Sequence, residues 1–148
     1  MNQAAPKGMF LQPDDGKLYK RNNEMRVKIA ATDTRGQYEI CEERCPPGFQ
    51  SRRHMHSRDF ETFYMVDGSA TWEVGGETIE ATKGVTIHIP PNVPHKVVTK
   101  SGCHMLVVFG PGEQSAMFSE IAGLTPQQQE DPSVVRPILD KHHLVPME

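Results

Sequence analysis

No uninterrupted apolar run in the sequence approaches the ~18 residues that a membrane-spanning helix requires, so no membrane partner is expected. There is no basic excess either. Lys and Arg number 16 against 19 Asp and Glu, a net charge of -3, which argues against a general nucleic-acid binder with its basic face. Cysteines are few and odd in number, three in all, and cannot form a closed disulfide framework. The opening Met1-Asn2-Gln3-Ala4-Ala5-Pro6-Lys7 carries no basic-then-apolar leader pattern. Together these point to a reduced, cytoplasmic setting. What remains is a chain of 148 residues, enough for one domain with a real core. Its 12 Gly and 12 Pro indicate many turns.

The chain has three textures. Residues 1–23 are polar, with a turn signal at Pro13-Asp14-Asp15-Gly16, and read as a partly extended N-terminal arm. Within it Met9-Phe10-Leu11 is a candidate added strand or partner contact. Residues 24–110 read as strand after strand. Met25, Val27, Ile29 and Ala31 alternate with polar residues, and Tyr38–Glu43 follows. Phe60–Val66 leads to Asp67-Gly68, a favoured hairpin turn, from which Ser69–Val74 is expected to return. Gly75-Gly76 predicts a second turn into Glu77–Ala81. Val85, Ile87 and Ile89 share one face of a further strand, and His95–Lys100 and Cys103–Phe109 complete the series. Such spacing indicates an antiparallel sandwich or barrel. Residues 111–148 read as a helical tail packing on it. Glu113–Ile121 is a helix with Met117, Phe118 and Ile121 on one side, and Thr125-Pro126 caps a second. Ser133 is a candidate cap for a third, which Pro137 is expected to end or shorten.

The chemistry concentrates in His54-Met55-His56-Ser57-Arg58-Asp59-Phe60-Glu61. Two histidines two apart on a strand point to one face, as two ligands of a single ion must. Glu61 has the opposite parity and joins them only if the chain bends at Ser57-Arg58-Asp59. A fourth ligand must come from elsewhere, and His95, opening a strand after Pro90-Pro91-Asn92-Val93-Pro94, is the best candidate. Three imidazoles and a carboxylate suit one divalent transition metal (Fe, Mn, Ni, Co, Cu or Zn) and suit Ca or Mg poorly.

Gly48, His54, His56, Glu61 and Gly68 reproduce the first cupin motif, and Gly84, Pro90 and His95 match the second. Two positions depart from it, Asn92 for a glycine and Thr99 for an asparagine; Asn tolerates the left-handed backbone that such a turn needs. Over 37–109 the chain therefore resembles the cupin superfamily, and among its members the compact, single-domain, quercetin dioxygenase-like proteins. That resemblance implies an all-β cupin jelly-roll barrel (a double-stranded β-helix) with short C-terminal helical segments. It also implies His54, His56, Glu61 and His95 as metal ligands; in Lewis-acid chemistry at such a site Glu61 is expected to shift from ligand to general base. The activity implied is a metal-dependent, dioxygenase-like reaction on a small enolic or aromatic molecule. A non-oxidative isomerase, lyase, decarboxylase or cyclase and a non-catalytic small-molecule binder are the alternatives. A homodimer is expected.

Candidate pocket residues are Gln50, Phe63, Met65, Trp72, Val97 and Phe109. Arg52, Arg53 and Arg58 either steer an anionic substrate or form a solvated rim. Cys41, Cys45 and Cys103 read as reduced core or turn residues, His88 and His104 as non-ligands, and His142-His143 as a solvated tail.

Overall fold

One strand fifteen residues long, Phe60–Val74, organises the molecule by belonging to two sheets in succession. The structure, a computed structural model, describes residue 5 and residues 7–148. In chain order the strands are β1 (Lys17–Lys20), β2 (Glu24–Ile29), β3 (Glu39–Cys45), β4 (His54–His56) and β5 (Phe60–Val74). They continue as β6 (Glu77–Thr82), β7 (Thr86–Ile89), β8 (His95–Val98), β9 (Cys103–Gly110) and β10 (Leu144–Pro146). The helices are α1 (Gln114–Ala122), α2 (Pro126–Glu130) and α3 (Pro132–Lys141). All pairing among these strands is antiparallel. One sheet runs β1-β2-β3-β9-β5-β7 and the other β6-β5-β8-β4-β10. The two curl into a jelly-roll with the core between them, as the strand spacing predicts.

The Asp67-Gly68 hairpin does not form. The chain passes straight through as β5, and its register against β9 shifts between Met65 and Asp67. Gly68 sits at φ 78°, and a Cβ there would lie 2.4 Å from the Gly102 carbonyl oxygen. The dipeptide thus makes a bulged corner where β5 leaves one sheet for the other, a geometry that demands the same glycine as a tight turn. Gly75-Gly76 does form a hairpin, Val74 opposite Glu77. The alternation holds in β7, with Ile87 and Ile89 buried, and in β2 as far as Met25 and Val27; beyond these a register shift leaves Ile29 half-buried, and Ala31 lies past the strand. Across the β5 corner, Phe63 and Trp72 meet with ring centroids 4.5 Å apart, joining the sheets through the core.

Residues at both ends of the chain depart from expectation. Met9-Phe10-Leu11 forms no strand, and Phe10 is 96% exposed; Lys17–Lys20 instead pairs with β2. In the tail, α1 buries Met117 and Ile121, and Thr125 accepts a hydrogen bond from the Gln128 amide as the cap of α2. Asp131, not Ser133, caps α3, its side chain accepting from the Ser133 N–H. Pro137 does not end α3. The helix forgoes the hydrogen bond that proline cannot donate and runs on to Lys141. His142 is buried rather than solvated: its Nε2 lies 2.9 Å from Glu120, and its carbonyl accepts from the Gln114 amide. Beyond it β10 pairs with β4, an addition too short for any periodicity to signal. No helix among the described residues is long and apolar enough to cross a membrane.

Candidate metal centre

The four side chains singled out in sequence converge. One donor atom each from His54, His56, Glu61 and His95 lie within 4.8 Å of one another. Strand pairing explains the meeting. His54 and His56 share a face of β4, and His54 is the register partner of His95 across β8. The bend at Ser57-Arg58 reverses the parity, so that Glu61 enters β5 facing inward. Asn92, in the loop that presents His95, takes φ 64°, the left-handed conformation expected of it. Thr99 is buried, donating to the Ser69 carbonyl and accepting from the Gly102 amide, so it holds the turn into β9.

Tautomers follow from the backbone. His54 Nδ1 lies 2.8 Å from the Arg52 carbonyl and His95 Nδ1 lies 2.9 Å from the Val93 carbonyl. A carbonyl oxygen only accepts, so each Nδ1 carries the proton and each Nε2 is left as a lone pair aimed inward. His56 Nε2 is 3.2 Å from Glu61 Oε1, and His95 Nε2 is 2.7 Å from Glu61 Oε2. These approaches are close but misaligned: both ring nitrogens of His56, Glu61 Oε2 and His95 Nε2 are buried with no hydrogen-bond partner. Of these, one nitrogen of His56, Glu61 Oε2 and His95 Nε2 fall within the cluster; buried polar atoms left orphaned are costly unless something completes them, and a divalent cation would do so. The donor set, three imidazoles and a carboxylate, fits a transition metal.

Electrostatics agree. Burial works to raise the Glu61 carboxyl, but the His56 and His95 rings beside it outweigh that and hold it well below the usual carboxylate range. Burial lowers His54 to about 4, leaving it neutral and able to ligate. For His95, burial opposes protonation and the adjoining Glu61 carboxylate favours it, with a net rise.

The cluster opens into a cavity of about 160 Å³ between the sheets. Phe63, Trp72, Val97 and Phe109 line it, as their inward parity suggests. Gln50 and Met65 do not. Gln50 is exposed at an isolated bridge to Val98, while its neighbours Phe49 and Ser51 face the cavity. Met65 is wholly buried one inward position past Phe63, in the packing beyond the cavity wall. No Lys or Arg lines the space among the described residues. Arg53 pairs with Glu73 and Glu148, Arg58 with Asp59, and Arg52 is exposed, so these cations form the rim. The three cysteines are free and buried, His88 meets Thr62 at the surface, and His104 meets Glu42.

Sequence reasoning missed several cavity residues: Asn23, Glu43 and Gln114 among the polar ones, and Met117, Phe118 and Leu144 from the tail. Glu43 had a usable signal, since it shares inward parity with Cys41 and Cys45.

Comparison with known proteins gives a consistent picture. Residues 41–109 match the family described as Cupin domain. An uncharacterized protein of Streptomyces coelicolor is 30% identical over 112 residues, 75% of this chain and 88% of that protein. Quercetin 2,3-dioxygenase of Bacillus subtilis is 31% identical over 70 residues, 47% of this chain and 21% of that enzyme. The chain thus spans under half the length of two of the curated relatives it matches. Among solved structures, the polyketide cyclase RemF from Streptomyces resistomycificus superposes with a TM-score of 0.63 at 23% identity, covering 72% of this chain and 82% of that one.

Proposed function

The chain belongs to the cupin superfamily, and on that premise we propose that it is a metal-dependent, dioxygenase-like enzyme acting on a small, uncharged enolic or aromatic substrate. The observation that carries this reading is the convergence of four donors, with orphaned atoms facing inward, on an aromatic cavity free of Lys and Arg. His54, His56, Glu61 and His95 would hold the ion. When bound, that ion supplies a Lewis acid for an enol oxygen and a route for electrons between substrate and dioxygen. The protein's own part is positioning and exclusion of water. Phe63 and Trp72 line the space with aromatic surface suited to a planar molecule. The absence of lining cations disfavours phosphorylated or carboxylated substrates.

Size sharpens the substrate class. A cavity of about 160 Å³ is close to the ~150 Å³ that takes up benzene, so a single ring or short diketone matches it better than a three-ring flavonol. Similarity over 70 residues to quercetin 2,3-dioxygenase supports the chemistry rather than that substrate.

A non-oxidative reaction is the second reading. It is favoured by the second carboxyl in the cavity, Glu43, which oxygen chemistry does not require. An oxygen electrode decides between the two. Protein loaded with Fe(II), Mn(II) or Ni(II) and offered small diketones, one-ring enols and flavonols is expected to consume oxygen in step with substrate. Turnover that continues without oxygen supports the second reading, and binding without turnover under every metal contradicts both.

A further inference from the structure

Four inward carboxyls lie in or beside the cavity; two are held by hydrogen bonds from the protein and a third belongs to the ligand cluster. Glu39 accepts from the Ala31 amide and from the Ser115 amide and hydroxyl. Asp59 is held by Arg58 and Gln114. Glu61 lies between His56 and His95. Glu43 stands apart. It is 93% buried and lines the cavity, and among the described residues no cation pairs with it. Its Oε1 accepts from the neutral amide of Asn23 at 2.7 Å and touches the Cys45 thiol at 3.7 Å, while Oε2 takes no hydrogen bond from the described residues. By register Glu43 shares a row with Met105 and Met65, two inward positions along the sheet from the row of Phe109 and Glu61. It therefore faces the part of a bound molecule remote from the metal cluster.

Resting on the reading of this cavity as the substrate site of a metal-dependent enzyme, we propose that Glu43, not Glu61, is the catalytic residue that moves the substrate's proton. The substrates it suits are uncharged β-dicarbonyl or enol compounds with an acidic C–H. Glu61, hemmed in by two imidazoles, is left as a ligand. In the step itself the Glu43 carboxylate forms a bond to the substrate proton and the C–H bond breaks. Its electron pair becomes the C=C of the enolate, whose oxygen lies at the cluster. The carboxylic acid so formed then returns the same proton to oxygen or to another carbon of the conjugated system. Nothing is oxidised or reduced. Burial, opposed by the Asn23 hydrogen bond and aided by the negative charge of Glu61, pushes the Glu43 carboxyl up to about 7, near the optimum for proton transfer at neutral pH. The titratable groups around it are Glu61 from β5, Cys41 and Cys45 on its own strand and Cys103 from β9; its register partners Met25 from β2 and Met105 from β9 carry none.

The test uses the full chain loaded with Zn(II), without oxygen, and two probes, pentane-2,4-dione and 1-phenylbutane-1,3-dione. Exchange of their central C–H protons with deuterium oxide is followed by NMR. The native chain is expected to accelerate exchange, with a rate that rises with pH as Glu43 gives up its proton. Glu43→Gln should lower that rate by ~10²-fold and flatten its pH profile, while metal content and dione affinity stay within about threefold. Asn23→Ala removes the bond that favours the carboxylate, so its profile should shift to higher pH; this variant carries the test should Glu43→Gln fail to fold. Native acceleration with an unchanged rate and profile in Glu43→Gln, or an unmoved profile in Asn23→Ala, overturns the role of Glu43 alone. No acceleration and no dione binding by the native chain overturns the cavity reading and this inference with it.

Discussion

Glu43 and Glu61 face the same cavity from strands of one sheet, yet their surroundings drive them in opposite directions. Glu61 has two imidazoles against it and stays ionised, whereas Glu43 has one amide and is pushed up to about 7. Two carboxyls set apart in this way divide the work of a site between them.

The separation has a consequence for stability. Because the Glu43 value in the folded protein lies above its ordinary 4.5, the folded state keeps a proton that the unfolded chain releases. The contribution is intact below about pH 4.5 and is lost as pH rises towards 7, at a cost of about 3 kcal/mol. Glu43→Gln abolishes the penalty. Urea unfolding should find this variant more stable than the native chain at pH 8 and no more stable at pH 4.5; a constant difference between the two pH values would contradict the assignment.

Gly68 should tolerate no side chain. Alanine there would place Cβ 2.4 Å from Gly102 O and 2.8 Å from Cys103 Cα, both backbone atoms, at φ 78°. Gly68→Ala is expected to cost about 3 kcal/mol, read as a lowered denaturant midpoint with an unchanged slope. Were Asp67-Gly68 only a hairpin tip, the loss would be far smaller.

The C-terminal strand supports the cluster from behind. Bonds from Ser57 N to His143 O (2.8 Å) and from Met147 N to Arg53 O (2.9 Å) flank Val145, which lies opposite Met55 between the two ligand histidines. Val145→Pro removes a donor from this ladder and loosens β4. Metal affinity should fall by ~10-fold or more, as for other partners that orient ligands, with the barrel's circular dichroism retained. Titration calorimetry on the two proteins measures the difference.

How far the sequence could be read depends on the range of the interactions involved. The cluster was legible because each constraint is local or rests on fixed spacing: two histidines at strand parity, a polar bend before Glu61, and prolines fixing the approach to His95. Asp67-Gly68 reads equally as a hairpin tip or as a bulged corner, because both ask for the same residues. The choice between them lies in where β9 and β6 pair, far along the chain. Glu43 does not stand out in the sequence, because a charged residue at an inward position conflicts with the pattern of a buried strand. Only the tertiary structure brings Asn23 to it and opens a cavity beside it. The tail shows the same limit: His142 looks solvated until Gln114 and Glu120 of α1 fold against it.

Metal content tests the central claim most directly. Elemental analysis of protein purified without added metal, and again after exposure to Fe(II), Ni(II) or Zn(II) followed by desalting, is to be compared with His95→Gln treated in the same way. About one divalent transition ion per native chain is expected, and less than about a tenth of that in the variant. Equal occupancy in the two proteins, or none in the native chain under any of the three ions, would contradict it.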